Sequence, residues 1–203
     1  MKKNLYGGLL VAIDGPNGVG KTTLIQNIQN YFSTLGEKVY TTREPSYSRL
    51  GEFTREIAEE IGGESLACLV AADRYEHLNH EVIPKLREGF IVLMDRYILS
   101  SLILQRMDSV EVPFILGINA NIVLPDIQFV ITANADIIQK RLGDRSLLTR
   151  FEKGNRTDQE IQYLLQGVEE LRNLDIPVMK IVNNENLQTN VGLMVDYIIQ
   201  QKK

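Results

Sequence analysis

The sequence predicts a doubly wound α/β domain with a mainly parallel sheet. Apolar runs typical of buried strands alternate with helical patterns from end to end, and a glycine-rich turn directly follows the first run. We find no internal repeat and no Pro-, Gly- or Ser-rich linker that would mark a domain boundary. Residues 1–203 are therefore expected to form a single domain, a size at which one chain buries a sizeable core.

Five short strand-like segments, most of them apolar, predict the strands. A parallel strand covered by helices on both faces is apolar at successive positions rather than at alternate ones. The first run ends in Asp14, and the third is followed directly by Asp95. The predicted strands span residues 8–14, 38–42, 90–94, 127–133 and 177–182.

The segments between these runs predict helices. After the glycine-rich turn, apolar residues recur at helical spacing from Leu24 to Leu35 and stop at Gly36, a typical helix end. A longer helix is predicted over 64–88 and ends at Gly89, and we expect Cys68 to be buried in it. The other predicted helices span residues 48–62, 97–107, 110–123, 136–142, 159–174 and 187–200.

Composition and charge exclude several classes of protein. Apolar residues make up 44% of the chain and charged residues 24%, which is typical of a folded globular protein. The formal net charge of −4 gives no global attraction to nucleic acid, so no nucleic-acid partner is expected. The apolar run 9–13 is too short for a signal peptide or a membrane span, so no membrane association is expected. The single cysteine allows no internal disulfide, which favours a cytoplasmic location.

One motif indicates a specific chemistry. Residues 15–22, Gly-Pro-Asn-Gly-Val-Gly-Lys-Thr, match the phosphate-binding pattern G-x-x-x-x-G-K-[ST] and lie between a predicted strand and a predicted helix. Lys21 would reach the β- and γ-phosphate oxygens, and the Thr22 hydroxyl would bind Mg²⁺. The motif alone leaves hydrolysis, transfer and switching open. The residues predicted to bind the nucleoside triphosphate are Gly15, Asn17, Gly18, Val19, Gly20, Lys21, Thr22 and Thr23.

Two arginines follow the second and third predicted strands. Arg43 begins Arg43-Glu44-Pro45, and Arg96 lies in Asp95-Arg96-Tyr97. Both lie at carboxyl ends of strands, where open α/β sheets bind their ligands. A guanidinium can hold a phosphate with two parallel hydrogen bonds. The pair therefore predicts a site for a second, phosphorylated substrate, as a small-molecule kinase requires.

Together these motifs resemble those of the thymidylate kinase family, in order and approximate spacing over nearly the whole chain. The stretches that carry the resemblance are Asp14-Gly15, Gly20-Lys21-Thr22-Thr23, Thr42-Arg43-Glu44-Pro45, Ala71-Ala72-Asp73-Arg74-Tyr75-Glu76, Asp95-Arg96-Tyr97, Ser100-Ser101, Gln105, Pro125-Asp126 and Arg150-Phe151-Glu152. The resemblance implies a P-loop kinase fold with a five-stranded parallel sheet flanked by helices on both faces. It also implies a homodimer that transfers the γ-phosphate of ATP to dTMP with Mg²⁺.

The resemblance assigns roles to individual residues. Arg43 and Arg96 look like the pair that grips the acceptor phosphate, and Arg74 looks like the residue that reaches the thymine edge. Asp95 would lie near the magnesium ion or would only orient the two residues after it. The predicted catalytic residues are Lys21, Arg96, Arg145 and Arg150. The predicted substrate-binding residues are Asp14, Arg43, Glu44, Val70, Arg74, Arg96, Ser101 and Gln105, and the predicted metal ligands are Thr22 and Asp95.

The segment 143–156 resembles the family's lid over the phosphates. Gly18, rather than a basic residue, stands inside the P-loop, so the cations for the transition state are expected from the lid. Arg145 and Arg150 are the candidates, and a solvated charged loop is the alternative. The adenine side is poorly encoded, with Arg141 and the loop 183–186 as weak candidates.

The sequence departs from the family pattern on the acceptor side. Asn17 stands where the family usually has an acidic residue, and Val70 stands where an aromatic ring stacks on thymine. Tyr47, two residues after Pro45, stands where the family usually has small residues. One interpretation gives Tyr47 the role of the missing ring. Leu99 and Leu104 replace a polar or aromatic pair.

These departures leave alternatives for the acceptor. dTMP is the best single prediction, followed by another nucleotide or a phosphorylated metabolite. A nucleoside kinase would need a carboxylate base, for which Glu44 and Asp95 are placed. A regulatory P-loop protein would need no second anion site. His77 and His80 match no metal or nucleophile motif, and we expect solvated or capped imidazoles there.

Overall fold

The computed structural model describes residues 1–143, 157–184 and 186–202, and within these ranges five parallel strands form one sheet. The strands are β1 (Leu9–Asp14), β2 (Val39–Arg43), β3 (Ile91–Asp95), β4 (Ile127–Thr132) and β5 (Val178–Val182). Their order across the sheet is β2-β3-β1-β4-β5. The predicted α/β fold is confirmed, and every strand end lies within one residue of its predicted position.

Helices connect the strands on both faces of the sheet. They are α1 (Lys21–Thr34), α2 (Arg49–Ile57), α3 (Gly63–His77), α4 (Ile83–Arg87), α5 (Ile98–Met107), α6 (Val112–Ile118), α7 (Ala135–Gly143), α8 (Thr157–Asn173) and α9 (Leu187–Gln201). A π-helical segment, Leu78–Val82, joins α3 to α4, so the single helix predicted over 64–88 contains a local widening. Across the ranges given above, no helix combines the length and the apolar character needed to cross a membrane.

The two faces of the sheet bury separate apolar layers. Along β1, Leu10 and Ala12 point into the layer covered by α3, α5, α6 and α8. Val11 and Ile13 point into the layer covered by α1 and α9. All four side chains are fully buried, which explains why the strand is apolar at successive positions.

Cys68 lies in α3, but the prediction that it is buried is wrong. The face of α3 that packs inward repeats at Ala67, Ala71 and Arg74, all of which are buried. Cys68 follows Ala67 and is therefore turned about 100° away from that face. Its side chain is exposed.

The carboxyl ends of three strands meet at one edge of the sheet. Arg43 pairs with Asp95 between β2 and β3, and Asp95 pairs with Ile13 between β3 and β1. The pairing continues past the strands, because the Glu44 amide donates to the Asp95 carbonyl and the Arg96 amide donates to the Ile13 carbonyl, each at 3.0 Å. This register brings both arginine motifs beside the glycine-rich turn.

Candidate active site

A cavity of about 550 Å³ opens at this edge of the sheet. Six of the eight residues predicted from the P-loop motif line it: Asn17, Gly18, Gly20, Lys21, Thr22 and Thr23. Gly15 and Val19 do not line it. A Cβ on Gly15 would lie 2.2 Å from the Ile131 carbonyl oxygen, so the turn passes too close to β4 for a side chain there. Val19 is fully buried behind the wall.

Lys21 begins α1 and folds back over the turn that precedes it. Its Nζ donates to the carbonyl oxygens of Gly15 at 2.9 Å and Pro16 at 3.0 Å. Burial and, after it, the positive charge of Arg96 together lower the pKa of Lys21 to about 7, although the charges of Asp95 and Asp14 oppose them. The ammonium group thus sits where an added anion would strongly favour its charged form.

The acceptor wall is the part of the cavity formed by residues predicted to bind the acceptor: Arg43, Glu44, Val70, Arg74, Arg96, Ser101 and Gln105. Asp95, predicted as a metal ligand, lines the cavity as well. Asp14 does not line it and lies beneath, fully buried. Its carboxylate accepts hydrogen bonds from the Tyr97 amide at 3.1 Å, from the Ser100 hydroxyl and from Gln128 Nε2 at 3.0 Å. The predicted substrate contact of Asp14 is therefore corrected to a structural contact that fixes the start of α5.

Arg96 links the P-loop to the end of β3. Its φ of 69° is in the left-handed region, which a non-glycine residue adopts at some cost and which is enriched at functional sites. One guanidinium nitrogen donates to Ser100 Oγ at 3.1 Å, and another donates to Asn17 Oδ1. The strained backbone and these contacts direct the guanidinium into the cavity beside Lys21.

Arg74 is held on three sides although it lines the cavity. It is 1% exposed, and its Nε donates to Glu44 Oε2 at 2.7 Å. Its two terminal nitrogens donate to Asn119 Oδ1 at 2.6 Å and Ser101 Oγ at 2.9 Å. The guanidinium also lies 5.4 Å from the centre of the Tyr97 ring. These contacts fix one orientation of Arg74, and the predicted contact with a thymine edge stays a prediction.

Four buried polar atoms of cavity residues lack a hydrogen-bond partner within the described part of the chain. They are Arg43 Nε, Glu44 Oε1, Asp95 Oδ1 and Gln105 Oε1. Buried polar atoms are normally paired, so unpaired atoms in residues that line a cavity indicate where a ligand would complete the bonding. One is a cationic donor, two are carboxylate oxygens and one is an amide acceptor, which matches a ligand of mixed chemistry.

Arg55 is a cavity residue that the sequence did not reveal. It lies in α2, and one terminal nitrogen donates to the carbonyl oxygens of Ser46 at 2.7 Å and of Pro45. Burial, and after it the charge of Arg43, lower the pKa of Arg55. The sequence shows Arg55 only as a basic residue in the helix that follows the Arg43 loop, and Arg55 belongs to no recognisable motif.

Tyr47 does not supply a ring to the cavity, so that interpretation is wrong. Its side chain is 60% exposed, and its ring packs against the Arg43 guanidinium. The loop is fixed instead by Asp73, whose carboxylate accepts from the Ser46 amide at 2.7 Å and the Ser46 hydroxyl at 2.6 Å. A hydroxyl at position 46 thus anchors the turn on α3.

The apolar part of the cavity is aliphatic around Val70. Leu66 and Leu104 line the cavity with it, whereas Leu99 is fully buried in the core. Of the two leucine departures, only Leu104 therefore borders the acceptor side. The space next to Val70 is where the family resemblance places a base.

The two histidines differ in their surroundings. His80 is exposed, as expected. His77 is buried, because the inward face of α3 continues through Arg74 to His77, and of the two expected states its ring has the capped one. His77 Nε2 lies 2.9 Å from Thr42 Oγ1 and 3.0 Å from Glu81 Oε1.

The lid residues Arg145 and Arg150 lie outside the described residues, so their roles stay predictions. Arg141, at the end of α7, donates to the Asn183 carbonyl at 3.2 Å and the Asn184 carbonyl at 3.1 Å. It borders a smaller cavity of about 200 Å³ beside Gly20.

A strand, a glycine-rich turn, a helix that begins with Lys21 and two arginines that line the same cavity define a P-loop phosphotransferase. Sequence comparison gives the family. A family model of thymidylate kinase matches residues 13–200. The chain belongs to the thymidylate kinase family and is a nucleoside monophosphate kinase.

Curated relatives agree with this assignment over most of their length. A probable thymidylate kinase of Caldivirga maquilingensis is 37% identical, over 87% of this chain and 88% of the relative. A probable thymidylate kinase of Pyrococcus horikoshii is 30% identical over the same shares. A thymidylate kinase of Shouchella clausii is 34% identical, over 80% of this chain and 79% of the relative.

Proposed function

We propose that the chain transfers the γ-phosphate of ATP to dTMP, forming dTDP and ADP, with both substrates bound in the large cavity. The observation that carries the proposal is the placement of Arg43 and Arg96 at neighbouring strand ends, where both line the same cavity as Lys21. A hydrolase or a switch has no need of a second cationic site. An acceptor with a phosphate of its own does need one, because two anionic groups must approach each other.

The P-loop would hold the triphosphate. The N-terminus of α1 and the turn before it present backbone N–H groups, and the helix adds partial positive charge. Lys21 would exchange the carbonyl oxygens of Gly15 and Pro16 for β- and γ-phosphate oxygens. Arg141, the weak candidate for the adenine side, borders the smaller cavity and would contact the adenine there.

Thr22 and Asp95 would hold Mg²⁺. Both line the large cavity, and the open Oδ1 of Asp95 with the Thr22 hydroxyl provides the hard oxygen atoms that Mg²⁺ prefers. Within residues 1–143, 157–184 and 186–202, no group of three or more His, Cys, Asp or Glu side chains could hold a metal ion. Phosphate oxygens and water would complete the shell, and the ion would neutralise charge on the β- and γ-phosphates.

Arg43 and Arg96 would hold the acceptor's phosphate so that one of its oxygens attacks the γ-phosphorus in line with the departing ADP oxygen. Lys21 and Arg96 would stabilise the equatorial oxygens, as would Arg145 and Arg150 of the lid. No covalent bond to the enzyme is required. Gln105 would read the base, since its open Oε1 is an acceptor beside the space at Val70.

A homodimer in the cytoplasm, without nucleic-acid or membrane partners, completes the proposal. The family resemblance supports the dimer, and the net charge of −4 and the single cysteine support the other points. Sedimentation of the purified chain checks the dimer directly: a monomeric mass near 23 kDa would contradict it.

The proposal is tested by measuring ADP release with Mg·ATP and a series of acceptors. dTMP should give the highest kcat/KM, above dUMP, dCMP, dGMP and UMP, and thymidine should give little turnover. Turnover of thymidine in preference to dTMP would instead identify a nucleoside kinase. Slow hydrolysis that no acceptor changes would identify a regulatory nucleotide-binding protein.

A further inference from the structure

A buried imidazole lies directly behind the acceptor wall. His77 is 1% exposed and does not line the cavity, but Glu44, which does, stands beside it. Nδ1 of His77 lies 4.0 Å from Glu44 Oε1, which is an ion-pair distance and longer than a hydrogen bond. On the other side of the ring, Nε2 is 3.0 Å from Glu81 Oε1. The ring therefore bridges two carboxylates on different segments.

The hydrogen-bond pattern places a proton on Nε2. Thr42 Oγ1 donates to Glu81 Oε1 at 2.6 Å, which leaves the Thr42 oxygen as an acceptor toward the ring. A carboxylate can only accept, so the 3.0 Å contact with Glu81 requires N–H on Nε2. A neutral ring with that tautomer would turn the Nδ1 lone pair toward Glu44.

The contact between His77 Nδ1 and Glu44 favours a second proton on the ring. Nδ1 of His77 and Oε1 of Glu44 are both buried, and neither has a hydrogen-bond partner among the residues that the structure describes. A lone pair facing a buried carboxylate is repulsive, whereas an N–H⁺ there is attractive. The imidazolium form therefore satisfies both sides of the ring.

The charges around His77 also favour the imidazolium. Glu44 and Glu81 contribute two negative charges, and Arg74 contributes one positive charge through its 2.7 Å bond to Glu44. The remaining groups facing the cluster are the hydroxyls of Thr42 and Tyr40 from β2 and the ring of Tyr97 from α5. One further positive charge on His77 would make the cluster neutral.

The pKa values of the cluster agree with this geometry. Burial by itself would lower the pKa of His77, but the carboxylates of Glu44 and Glu81 outweigh it and raise the pKa above 6.5. Burial by itself would raise the pKa of Glu81, and Thr42 and His77 outweigh it and lower the pKa below 4.5. The two directions describe one ion pair.

The cluster connects to the acceptor wall through Glu44. Its backbone N–H is fixed on the Asp95 carbonyl, one carboxylate oxygen binds Arg74, and the other faces His77. The hydrogen bond to Arg74 and the charge of the ring act on different oxygens and together favour one orientation of the carboxylate. The orientation of Arg74 thus depends on the group behind Glu44 as well as on Asn119 and Ser101.

We propose that His77 is a positioning residue of the acceptor site: as an imidazolium between Glu44 and Glu81, it fixes the Glu44 carboxylate, and Glu44 in turn orients Arg74. Glu81 lies four residues after His77, within the π-helical segment that begins at Leu78. The kinetic part of the proposal rests on the proposed function, whereas the protonation of His77 does not. The two are therefore measured separately.

The first experiment follows the imidazole signals of both histidines by NMR as a function of pH. The chain contains two histidines, and the spectrum of His77→Gln assigns their signals. His77 should keep both ring protons above pH 6.5, where a free imidazole has lost one. Glu81→Gln and Glu44→Gln should each lower the titration midpoint of His77. A His77 midpoint at or below 6.5 would overturn the proposal, whatever the substrate.

The second experiment compares His77→Gln with His80→Gln. Glutamine keeps an N–H donor near Glu81 but carries no charge. We expect the KM for dTMP to rise about tenfold in His77→Gln, with kcat and the KM for ATP nearly unchanged. His80→Gln should behave as wild type. In the wild-type enzyme the KM for dTMP should rise as pH increases through the His77 midpoint, and that rise should vanish in His77→Gln.

An unchanged KM for dTMP and an unchanged pH profile in His77→Gln would overturn the positioning role. If His77→Gln does not fold, Glu81→Gln gives the same comparison at the exposed end of the cluster, where a smaller rise in KM is expected. If the wild-type chain does not phosphorylate dTMP, the proposed function fails, and the NMR titration still decides the state of His77.

Discussion

The guanidinium carbon of Arg43 lies 4.5 Å from the centre of the Tyr47 ring. Arg43 also lines the cavity, and its buried Nε has no hydrogen-bond partner within the described ranges. An aromatic face attracts a cation and restricts its motion. Tyr47 therefore restrains the guanidinium that we propose binds the acceptor's phosphate, and it does not act as a platform for the base.

Replacing Tyr47 should weaken acceptor binding modestly. An exposed cation–π contact stabilises by about 0.5–1 kcal/mol, so Tyr47→Ala should raise the KM for dTMP about two- to fivefold at unchanged kcat. Tyr47→Phe keeps the ring and should match wild type. The ratio of dTMP to dUMP turnover should not change in either variant. A change in that ratio would mean that the ring contacts the base.

An aromatic residue at position 70 should improve acceptor binding. Val70 lines the cavity, and base–aromatic stacking stabilises by about 1–3 kcal/mol, so Val70→Phe should lower the Kd for dTMP about ten- to hundredfold. Val70→Leu, which adds apolar volume without a ring, is the matched control and should change little. Calorimetric titration gives both constants. Weaker binding of dTMP by Val70→Phe would show that the base lies elsewhere.

ATP binding should take up a proton at alkaline pH. Burial lowers the pKa of Lys21 in the free enzyme to about 7, and bound phosphates would raise it again. At pH 8 most free enzyme has a neutral Lys21, so binding should take up nearly one proton, and affinity should fall by up to about tenfold per pH unit above 7. At pH 6 no uptake by Lys21 is expected.

Calorimetry of ATP binding in buffers of different ionisation enthalpy measures this uptake. Lys21→Arg provides the control, because a guanidinium stays charged throughout the pH range and should show no uptake. Equal heats in all buffers at pH 8 for the wild-type enzyme would contradict the depressed pKa of Lys21.

Gly51 should be intolerant of a side chain. A Cβ there would lie 2.2 Å from the Ser46 carbonyl oxygen, so Gly51→Ala must displace the loop that Asp73 anchors. Crowding of this kind costs about 1–3 kcal/mol, and the Tm should fall by several degrees. Gly117→Ala, in α6 with nothing within 4 Å, should keep or raise the Tm. Equal stability of the two variants would contradict the close packing of this loop.

Much of the fold could be predicted because its local signals agree. Continuous apolar runs ending at Asp14 and near Asp95 indicate buried parallel strands, and the glycine-rich turn before Lys21 indicates that the phosphate-binding motif follows the first of them. The prediction that Cys68 is buried was wrong because α3 is apolar around most of its circumference, so composition did not indicate which face packs inward.

The site could be predicted where a residue follows a strand and not where it lies inside a helix. Arg43 and Arg96 are fixed by strand register, which the sequence indicates. Arg55 lines the cavity from α2, and His77 lies behind Glu44 on α3. Their positions depend on helix packing that no local pattern encodes. The stacking of Tyr47 on Arg43 depends on loop geometry that Asp73 sets from a distant segment.

The central claim is that Arg43 and Arg96 bind the phosphate of the acceptor. The most direct measurement compares the Kd of dTMP with that of thymidine for the wild-type enzyme and for Arg96→Ala. The account predicts that wild-type enzyme binds dTMP at least about a hundredfold more tightly than thymidine, since charge-assisted bonds from two arginines act only on dTMP. Arg96→Ala should lose most of that difference and bind thymidine as before. Equal affinity of the wild-type enzyme for dTMP and thymidine would contradict the claim.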